Sequence, residues 1–148
     1  MNLNANNSTW NLLENLQDIY DTVARHLLTQ GRPATNVLTV CCFRAPDGTS
    51  CAIGCLIPNE LYKPELELRW GPYALADIGL LPREEVEKQF SSRVLLLCKL
   101  QEVHDAAVEW KPEDVVKNWK KALSRVAKQF NLRPFTSSML TNKQTTIN

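Results

Sequence analysis

Apolar residues recur every three or four positions over most of the chain, which is the spacing of a helix that buries one face. The first such stripe runs from Leu12 to Leu28 and predicts a helix that begins near Ser8 or Asn11. Asn11 and Glu14 have the spacing of a capping box, and Gly31 is placed to end the helix. The N-terminal fifth of the chain is therefore predicted to be one amphipathic helix.

Two later stripes predict the other long helices. From Pro82 to Ala107 the apolar residues keep helical spacing, and Ser91-Ser92 is expected to divide this segment in two. Leu95 and Leu96 lie outside the main stripe, so the segment around them is apolar nearly all round, which indicates a central helix packed on several sides. A last helix is predicted after Pro112, and its expected buried stripe consists of Val115, Trp119, Leu123, Val126 and Phe130.

The segment between the first and the central helix has a different pattern. Val37 to Phe43 is β-branched and aromatic, and Ala45 to Gly48 has the Pro and Gly placement of a tight turn. The returning arm, Thr49 to Ile57, is compatible with a second strand or with a helical turn around Cys51 to Leu56. The chain is thus predicted to be α+β and mostly helical, with three to five helices packed around a central leucine-rich helix and one small β-hairpin.

Length and composition favour one domain. The chain has 148 residues, of which 44% are hydrophobic and 22% are charged. Residues 1–7 and 136–148 are rich in small polar residues and are predicted to be disordered tails, which leaves 8–135 as a single globular domain. Because no apolar run has the length of a signal peptide or of a membrane span, we expect a cytoplasmic protein without membrane contact.

Charge excludes one class of function and leaves another open. Seventeen basic and sixteen acidic residues give a net charge of +1, which disfavours strong nonspecific binding to nucleic acid. The charge is nevertheless uneven, since residues 60–88 are mainly acidic and the last helix is mainly basic. Lys117, Lys121 and Lys128 share one face of that helix. We interpret this stripe as solvated surface or, alternatively, as a surface for an anion or an acidic partner.

Five cysteines are an odd number in a chain without an export sequence, so reduced thiols are favoured over a disulfide framework. Zinc needs four thiolate or imidazole donors, and Cys51 and Cys55 have a spacing that zinc sites use. Cys41 and Cys42, however, are adjacent, and neighbouring strand residues point to opposite faces. We therefore expect no metal and no cofactor, and a small structural zinc site using Cys42, Cys51 and Cys55 is the alternative.

A thiol enzyme, with a cysteine as nucleophile and His104 as base, is a further alternative. We expect Asp105 to orient the His104 ring poorly, because consecutive helical side chains project about 100° apart. No catalytic residue is assigned. Gly54 allows a close backbone approach beside the polar turn, which suggests a ligand rim. The candidate ligand-binding residues are Arg44, Asp47, Gly54, Tyr62, His104 and Asp105.

The segment from Cys42 to Tyr62, followed by Pro64-Glu65, resembles a signature of small proteins encoded by bacteriophages and prophages. Its characteristic run is Cys-x-Tyr/Phe-Arg-x-Pro-Asp-Gly-x-x-Cys-Ala-x-Gly-Cys-Leu-Ile-Pro. The stretches His26 to Gly31 and Leu100 to Asp105 are similar to two further motifs of those proteins, so the likeness spans about Ile19 to Leu132.

This resemblance implies a phage-associated accessory protein in the cytoplasm of the bacterial host, although the family usually carries tyrosine and glycine where this chain has Phe43 and Ala45. It implies no particular reaction. Together with the small size and the absence of a catalytic motif, it favours a non-enzymatic binder, namely a counter-defence protein that inhibits a host immune protein or sequesters a nucleotide-type signal. Homo-oligomerisation is also expected, because Trp70, Tyr73 and the leucine-rich helix offer apolar surface.

Overall fold

The computed structural model describes residues 12–89 and 91–141. Its α-helices in this part of the chain are α1 (Leu16–Gln30), α2 (Pro72–Asp77), α3 (Arg83–Lys88), α4 (Ser92–Ala106), α5 (Val115–Gln129) and α6 (Ser138–Thr141). Residues 12–14 are also helical. Short 3₁₀ helices occupy the connections, at Gly54–Leu56, Asn59–Leu61, Pro64–Leu68, Ala107–Glu109 and Pro112–Asp114.

The core lies between the three long helices, each of which packs against the other two. Their large aromatic residues also tie the helices together through polar atoms. Trp119 of α5 is fully buried, and its indole Nε1 donates to the Val103 carbonyl of α4 at 2.9 Å. Tyr20 of α1 is fully buried as well, and its hydroxyl donates to the Leu123 carbonyl of α5 at 3.0 Å. Each ring thus buries apolar area while satisfying its polar atom.

Helix α4 is the central helix, as its all-round apolar pattern predicts, because it contacts α1, α2 and α5. The two leucines outside its stripe have different environments: Leu96 is fully buried, whereas Leu95 is 46% exposed. No helix within residues 12–89 and 91–141 combines the length and the apolar character that crossing a lipid bilayer requires.

The helix ends follow from capping residues. The predicted cap Asn11 lies outside the described residues, and α1 instead begins after Asn15, whose side chain accepts from the backbone N–H groups of Gln17 and Asp18. Gly31 ends the helix with φ of 73°, as predicted, and its N–H donates to the Leu27 carbonyl. Ser91 caps α4, so the predicted division at the serine pair is confirmed.

The predicted β-hairpin is wrong, and the protein is mostly helical rather than α+β. Within the described residues the β-structure consists of isolated antiparallel bridges, which join Thr35 to Cys41 and Arg44 to Ser50. The segment that carries them, residues 32–57, is otherwise irregular or 3₁₀-helical.

Two interactions, one local and one with a distant residue, prevent the arms from pairing further. After Ser50 the chain turns at once, because the Cys55 N–H donates to the Cys51 carbonyl at 3.1 Å instead of pairing with a strand. On the other arm, the N–H groups of Phe43 and Arg44 donate to the carboxylate of Glu67, each at 2.9 Å. A side chain thus takes the place that a further strand would occupy.

The C-terminal segment contacts the body of the protein. Helix α6 lies within the predicted tail 136–148, and Arg25 of α1 donates to the Met139 carbonyl at 2.8 Å. Phe135, just before it, contributes its N–H to the Tyr20 hydroxyl at 3.2 Å. The predicted tail 1–7 lies outside the described residues.

Candidate functional site

A polar groove lies between α1 and the turn formed by residues 45–50. It consists of two adjoining cavities of about 550 and 430 Å³, which share His26, Gly48 and Thr49. Arg25, Arg32 and Asp47 line the larger cavity, whereas Arg44 and Gly54 line the smaller one. We call this feature the arginine groove, since among residues 12–89 and 91–141 three arginines and a single carboxylate face it.

The turn beside the groove is built by local hydrogen bonds. Asp47 accepts from both the backbone N–H and the hydroxyl of Thr49, and these bonds lower the pKa of Asp47. Arg32 pairs with Asp47 at 3.4 Å. Gln30 of α1 then fixes the end of the turn, because its amide accepts from the Ser50 N–H at 2.9 Å and donates to the Ser50 carbonyl at 3.0 Å. The groove is therefore tied to the C-terminal half of α1.

Aromatic rings hold two of the arginines in place. The Arg25 guanidinium lies over the Phe135 ring at 5.3 Å, and the Arg44 guanidinium lies over the Tyr62 ring at 4.4 Å. Arg44 also donates to the Ile57 carbonyl at 2.9 Å. A guanidinium has five N–H donors. Arg25 uses one nitrogen for the Met139 carbonyl and Arg44 uses one for the Ile57 carbonyl, so both arginines keep donors for a ligand.

His26 belongs to the groove, although the sequence pattern assigned it no role. Its Nε2 lies 2.8 Å from the Ser50 carbonyl, which can only accept, so Nε2 carries the hydrogen. Burial lowers the pKa of His26 and favours the neutral ring. In that tautomer Nδ1 is an acceptor. The sequence feature that could have identified His26 is its spacing of four residues from Gln30, which places both side chains on the same face of α1.

The six candidate ligand residues divide between different places. Arg44, Asp47 and Gly54 line the arginine groove, and Tyr62 packs on Arg44. Asp105 instead lines two smaller cavities, of about 180 and 130 Å³, and His104 is fully buried. The structure thus separates the turn residues from the histidine and aspartate of α4.

His104, which is fully buried, and Asp105, whose side chain is about half exposed, form a polar network. The Ala34 N–H donates to His104 Nε2 at 2.9 Å, so the ring hydrogen sits on Nδ1, which donates to Asp105 at 2.8 Å. The expectation that Asp105 would orient the ring poorly is wrong, because the carboxylate reaches back to it. The ring also stacks on Trp119, with 6.0 Å between centroids. Both ring nitrogens are therefore engaged, and neither is available as a general base.

Gln101 extends this network to the segment around the cysteines. Its amide donates to Asp105 at 2.7 Å and accepts from the Ile53 N–H at 3.1 Å. Burial alone raises the pKa of Asp105, but hydrogen bonds from His104, Cys41 and Gln101 together lower it. One turn of α4 thus anchors the irregular segment. Sequence reasoning missed Gln101.

The structure brings together a cluster of possible metal ligands that differs from the one in the zinc alternative. The ligand atoms of Cys41, His104 and Asp105 lie within 4.8 Å of one another, whereas the zinc alternative named Cys42, Cys51 and Cys55. A metal on Nδ1 of a neutral ring requires the hydrogen on Nε2, where it would donate to an acceptor. Here Nε2 faces the Ala34 N–H. The donor pattern around His104 therefore does not fit a metal ligand.

The thiols are poorly placed for nucleophilic chemistry. Burial raises the pKa of Cys51 to about 12, and burial also raises the pKa of Cys55. Burial, reinforced by the neighbouring Asp105, also raises the pKa of Cys41 to about 12. Since the thiolate is the reactive form, these cysteines stay protonated at neutral pH.

Glu67 organises the signature segment, and sequence reasoning missed it. Its carboxylate accepts from two successive N–H groups, those of Phe43 and Arg44, and from the Tyr62 hydroxyl at 2.8 Å. Burial raises the pKa of Tyr62 to about 12, with a further contribution from Glu67. Glu67 therefore sets the position of Arg44 at the groove and of Tyr62 beneath it.

The Tyr62 hydroxyl should lose its proton only at high pH, so the free energy of unfolding should depend on pH in that range. Because its pKa is raised in the folded state, its contribution to stability is complete below about pH 10, the unfolded value, and is lost as the pH rises to about 12. In a tyrosinate absorbance titration, Tyr62→Phe should remove the late component near pH 12, whereas the late component of Tyr20, whose pKa is also raised by burial, should remain. Tyr73→Phe is the control, and the prediction fails if that variant removes the late component instead.

The basic face of the last helix is exposed as predicted. Lys117, Lys121 and Lys128 lie on the solvent side of α5, opposite the buried Trp119. Lys120 and Arg125 are exposed there as well. Within the described part of the chain, the acidic partner of this face is Asp114, which lies 3.4 Å from Lys117.

Comparison of the chain with known proteins gave no matching family model, no matching curated protein and no matching solved structure. The resemblance to phage-encoded proteins therefore stays a prediction from the signature residues.

Proposed function

We propose that the protein is a small phage-associated accessory protein that binds rather than catalyses, and that it holds a nucleotide-type anion in the arginine groove. Sequestering such a signal would serve counter-defence in the cytoplasm of the bacterial host. The observation that carries the proposal is the convergence of Arg25, Arg32 and Arg44 on one groove, where Asp47 supplies the one carboxylate contributed by the described part of the chain.

Size and chemistry of the groove support this ligand class. Its two cavities, of about 550 and 430 Å³, are each as large as a typical small-molecule site. Arginine matches phosphate because its planar fork can donate two parallel hydrogen bonds. The rings of Phe135 and Tyr62 restrain two of the guanidinium groups before any ligand arrives, which lowers the entropy lost on binding. His26 Nδ1 and the Thr49 side chain add polar groups that could contact a base or a sugar.

Binding is favoured over thiol catalysis on separate grounds. The lone pair of His104 Nε2 already accepts from Ala34, and the pKa values of Cys41 and Cys51 are raised to about 12. A thiol enzyme requires a base that is free to take a proton from its nucleophile.

Calorimetric titration with mononucleotides, dinucleotides and cyclic oligonucleotides tests the proposal. We expect at least one of these to bind, and we expect Arg32→Ala or Arg25→Ala to weaken it at least about tenfold, since a charge-assisted hydrogen bond is lost. Arg125→Ala on α5 is the matched control and should leave the affinity unchanged. The proposal is wrong if no nucleotide binds, or if Arg125→Ala weakens binding as much as Arg32→Ala.

A second candidate, inhibition of an acidic host immune protein, is favoured by the basic face of α5. Five exposed basic residues lie on that helix, and the described residues supply one acidic partner to them. Pull-down from host lysate with the double variant Lys121→Glu/Lys128→Glu tests this candidate. The charge reversal should release a genuine partner, whereas Arg32→Ala should retain it. Binding of the partner to the wild type should weaken as the salt concentration rises.

A further inference from the structure

Residues 36–40 form an apolar tip that projects from the irregular segment. Val37 is 94% exposed, Leu38 is 76% exposed and Val40 is 57% exposed. No charged residue occurs between Pro33 and Phe43 in the sequence. Several large apolar side chains exposed together on one uncharged stretch are unusual for the surface of a monomer and indicate an interaction site.

The tip is held in one conformation. The Asn36 side chain accepts from the N–H groups of Leu38 and Val40, at 2.8 and 3.1 Å. The Asn36 backbone adds bonds to Val40 and Thr39, at 2.9 and 3.0 Å. Thr39 has φ of 60°, which a β-branched residue rarely adopts. These bonds hold a strained backbone that keeps the side chains of Val37 and Leu38 exposed to solvent. Such strain is typical of functional loops.

An apolar pocket lies directly beside the tip. It has a volume of about 300 Å³, and Thr35 and Thr39, at the base of the tip, form part of its wall. The opposite wall comes from the connection between α4 and α5 and the start of α5, through Ala107, Val108, Trp110, Pro112 and Val115. Gly31, Arg32 and Pro33, which follow α1, complete the lining, and Arg32 also lines the arginine groove. The molecule therefore carries an apolar protrusion and an apolar recess next to each other on one face.

We propose that this face binds a second copy of the chain, with each tip inserted into the pocket of the other copy. A two-fold axis requires a self-complementary patch, in which one residue contacts another and the reverse contact also occurs. A protrusion beside a recess of the same chemistry meets that requirement. Charge complementarity agrees, because Glu109, Lys111 and Glu113 are exposed and alternate with the lining residues Trp110 and Pro112, so Glu109 and Lys111 of one copy can pair with Lys111 and Glu109 of the other.

The expected dimer is weak. A five-residue tip and a small pocket cover less than the roughly 800 Å² per partner of a standard stable interface. Association should therefore appear as the concentration rises from micromolar towards millimolar. This inference does not depend on the proposed nucleotide function, since Leu38 and Val108 lie outside the arginine groove.

Sedimentation equilibrium of the full chain over that concentration range tests the proposal. The wild type should shift from monomer to dimer, and Leu38→Asp or Val108→Asp should weaken association at least about tenfold. Leu68→Asp is the matched control, because Leu68 is an 87% exposed leucine that does not line the pocket. If Val108→Asp does not fold, Thr35→Lys places a charge on the pocket wall instead.

Mixing the two variants separates reciprocal insertion from any other mode of self-association. A Leu38→Asp homodimer and a Val108→Asp homodimer each lack both insertions, whereas the mixed dimer retains one intact tip in one intact pocket. The equimolar mixture should therefore associate more tightly than either variant alone. The proposal is overturned if the wild type stays monomeric, if Leu68→Asp dissociates the dimer as strongly as Leu38→Asp, or if mixing restores nothing.

Discussion

Replacing Gly54 with alanine is expected to lower the free energy of unfolding by about 4 kcal/mol, at the severe end for single substitutions. A Cβ at this position would lie 2.0 Å from the Phe43 carbonyl oxygen and 2.7 and 2.8 Å from its carbon atoms. These are backbone atoms, and Glu67 fixes the Phe43 backbone from the other side through its N–H. The two chain segments must therefore separate to admit one methyl group. Denaturant unfolding followed by circular dichroism measures the loss.

Gly48→Ala is the matched control for Gly54→Ala. Gly48 has φ of 87°, but a Cβ there would meet no atom within 4 Å. The control should therefore lose only the cost of a left-handed backbone, about 1 to 2 kcal/mol. Equal losses in the two variants would contradict the close approach of Gly54 to Phe43.

Replacing His104 with alanine is expected to lower the free energy of unfolding by about 4 kcal/mol. No activity of the folded protein should depend on this side chain. The substitution opens a cavity beside Trp119, leaves the Ala34 N–H without its acceptor and removes a donor from Asp105. Each of these groups lies in the core or at its edge, so water does not replace the ring without a cost in free energy. Denaturant unfolding and the yield of soluble protein are the measurements.

His26→Ala is the control, because it is the other histidine of the chain and makes one hydrogen bond at a partly buried position. It should cost about 1 kcal/mol. A His104→Ala variant that keeps full stability would contradict the structural role and would reopen the alternative of a thiol enzyme.

The parts of the fold that sequence predicted correctly depend on local rules. Gly31 ends α1 because a residue with positive φ is needed where the helix stops, and Ser91 begins α4 because its side chain satisfies the Val94 N–H. Trp119 and its neighbours are buried because their spacing places them on one face of α5. In each case the cause lies within a few residues of its effect.

The prediction of a hairpin failed because a residue that is distant in sequence prevents the two arms from pairing. Val37 to Phe43 has the composition of a strand, but strands require a partner, and the partner arm turns helical after Ser50. Glu67, more than twenty residues along the chain, takes the N–H groups of Phe43 and Arg44. No local pattern announces such a bond. The exposure of Val37 and Leu38 has the same origin, since residues that suit a strand are left on an unpaired tip.

The candidate site was predictable only where its residues lie close together in sequence. The turn residues Arg44, Asp47 and Gly54 lie close together in sequence, and they also lie together in the structure. His26 and Arg25 join them only because α1 packs against the turn, and His104 leaves the group because α4 turns it into the core. Thus sequence alone determined the long helices, the glycine that ends α1, the division at Ser91 and the polar turn, which follow from short-range periodicity and backbone preference. Tertiary packing decided that the arginines converge, that His104 is structural and that the apolar tip meets solvent, because these depend on side chains brought together from distant parts of the chain.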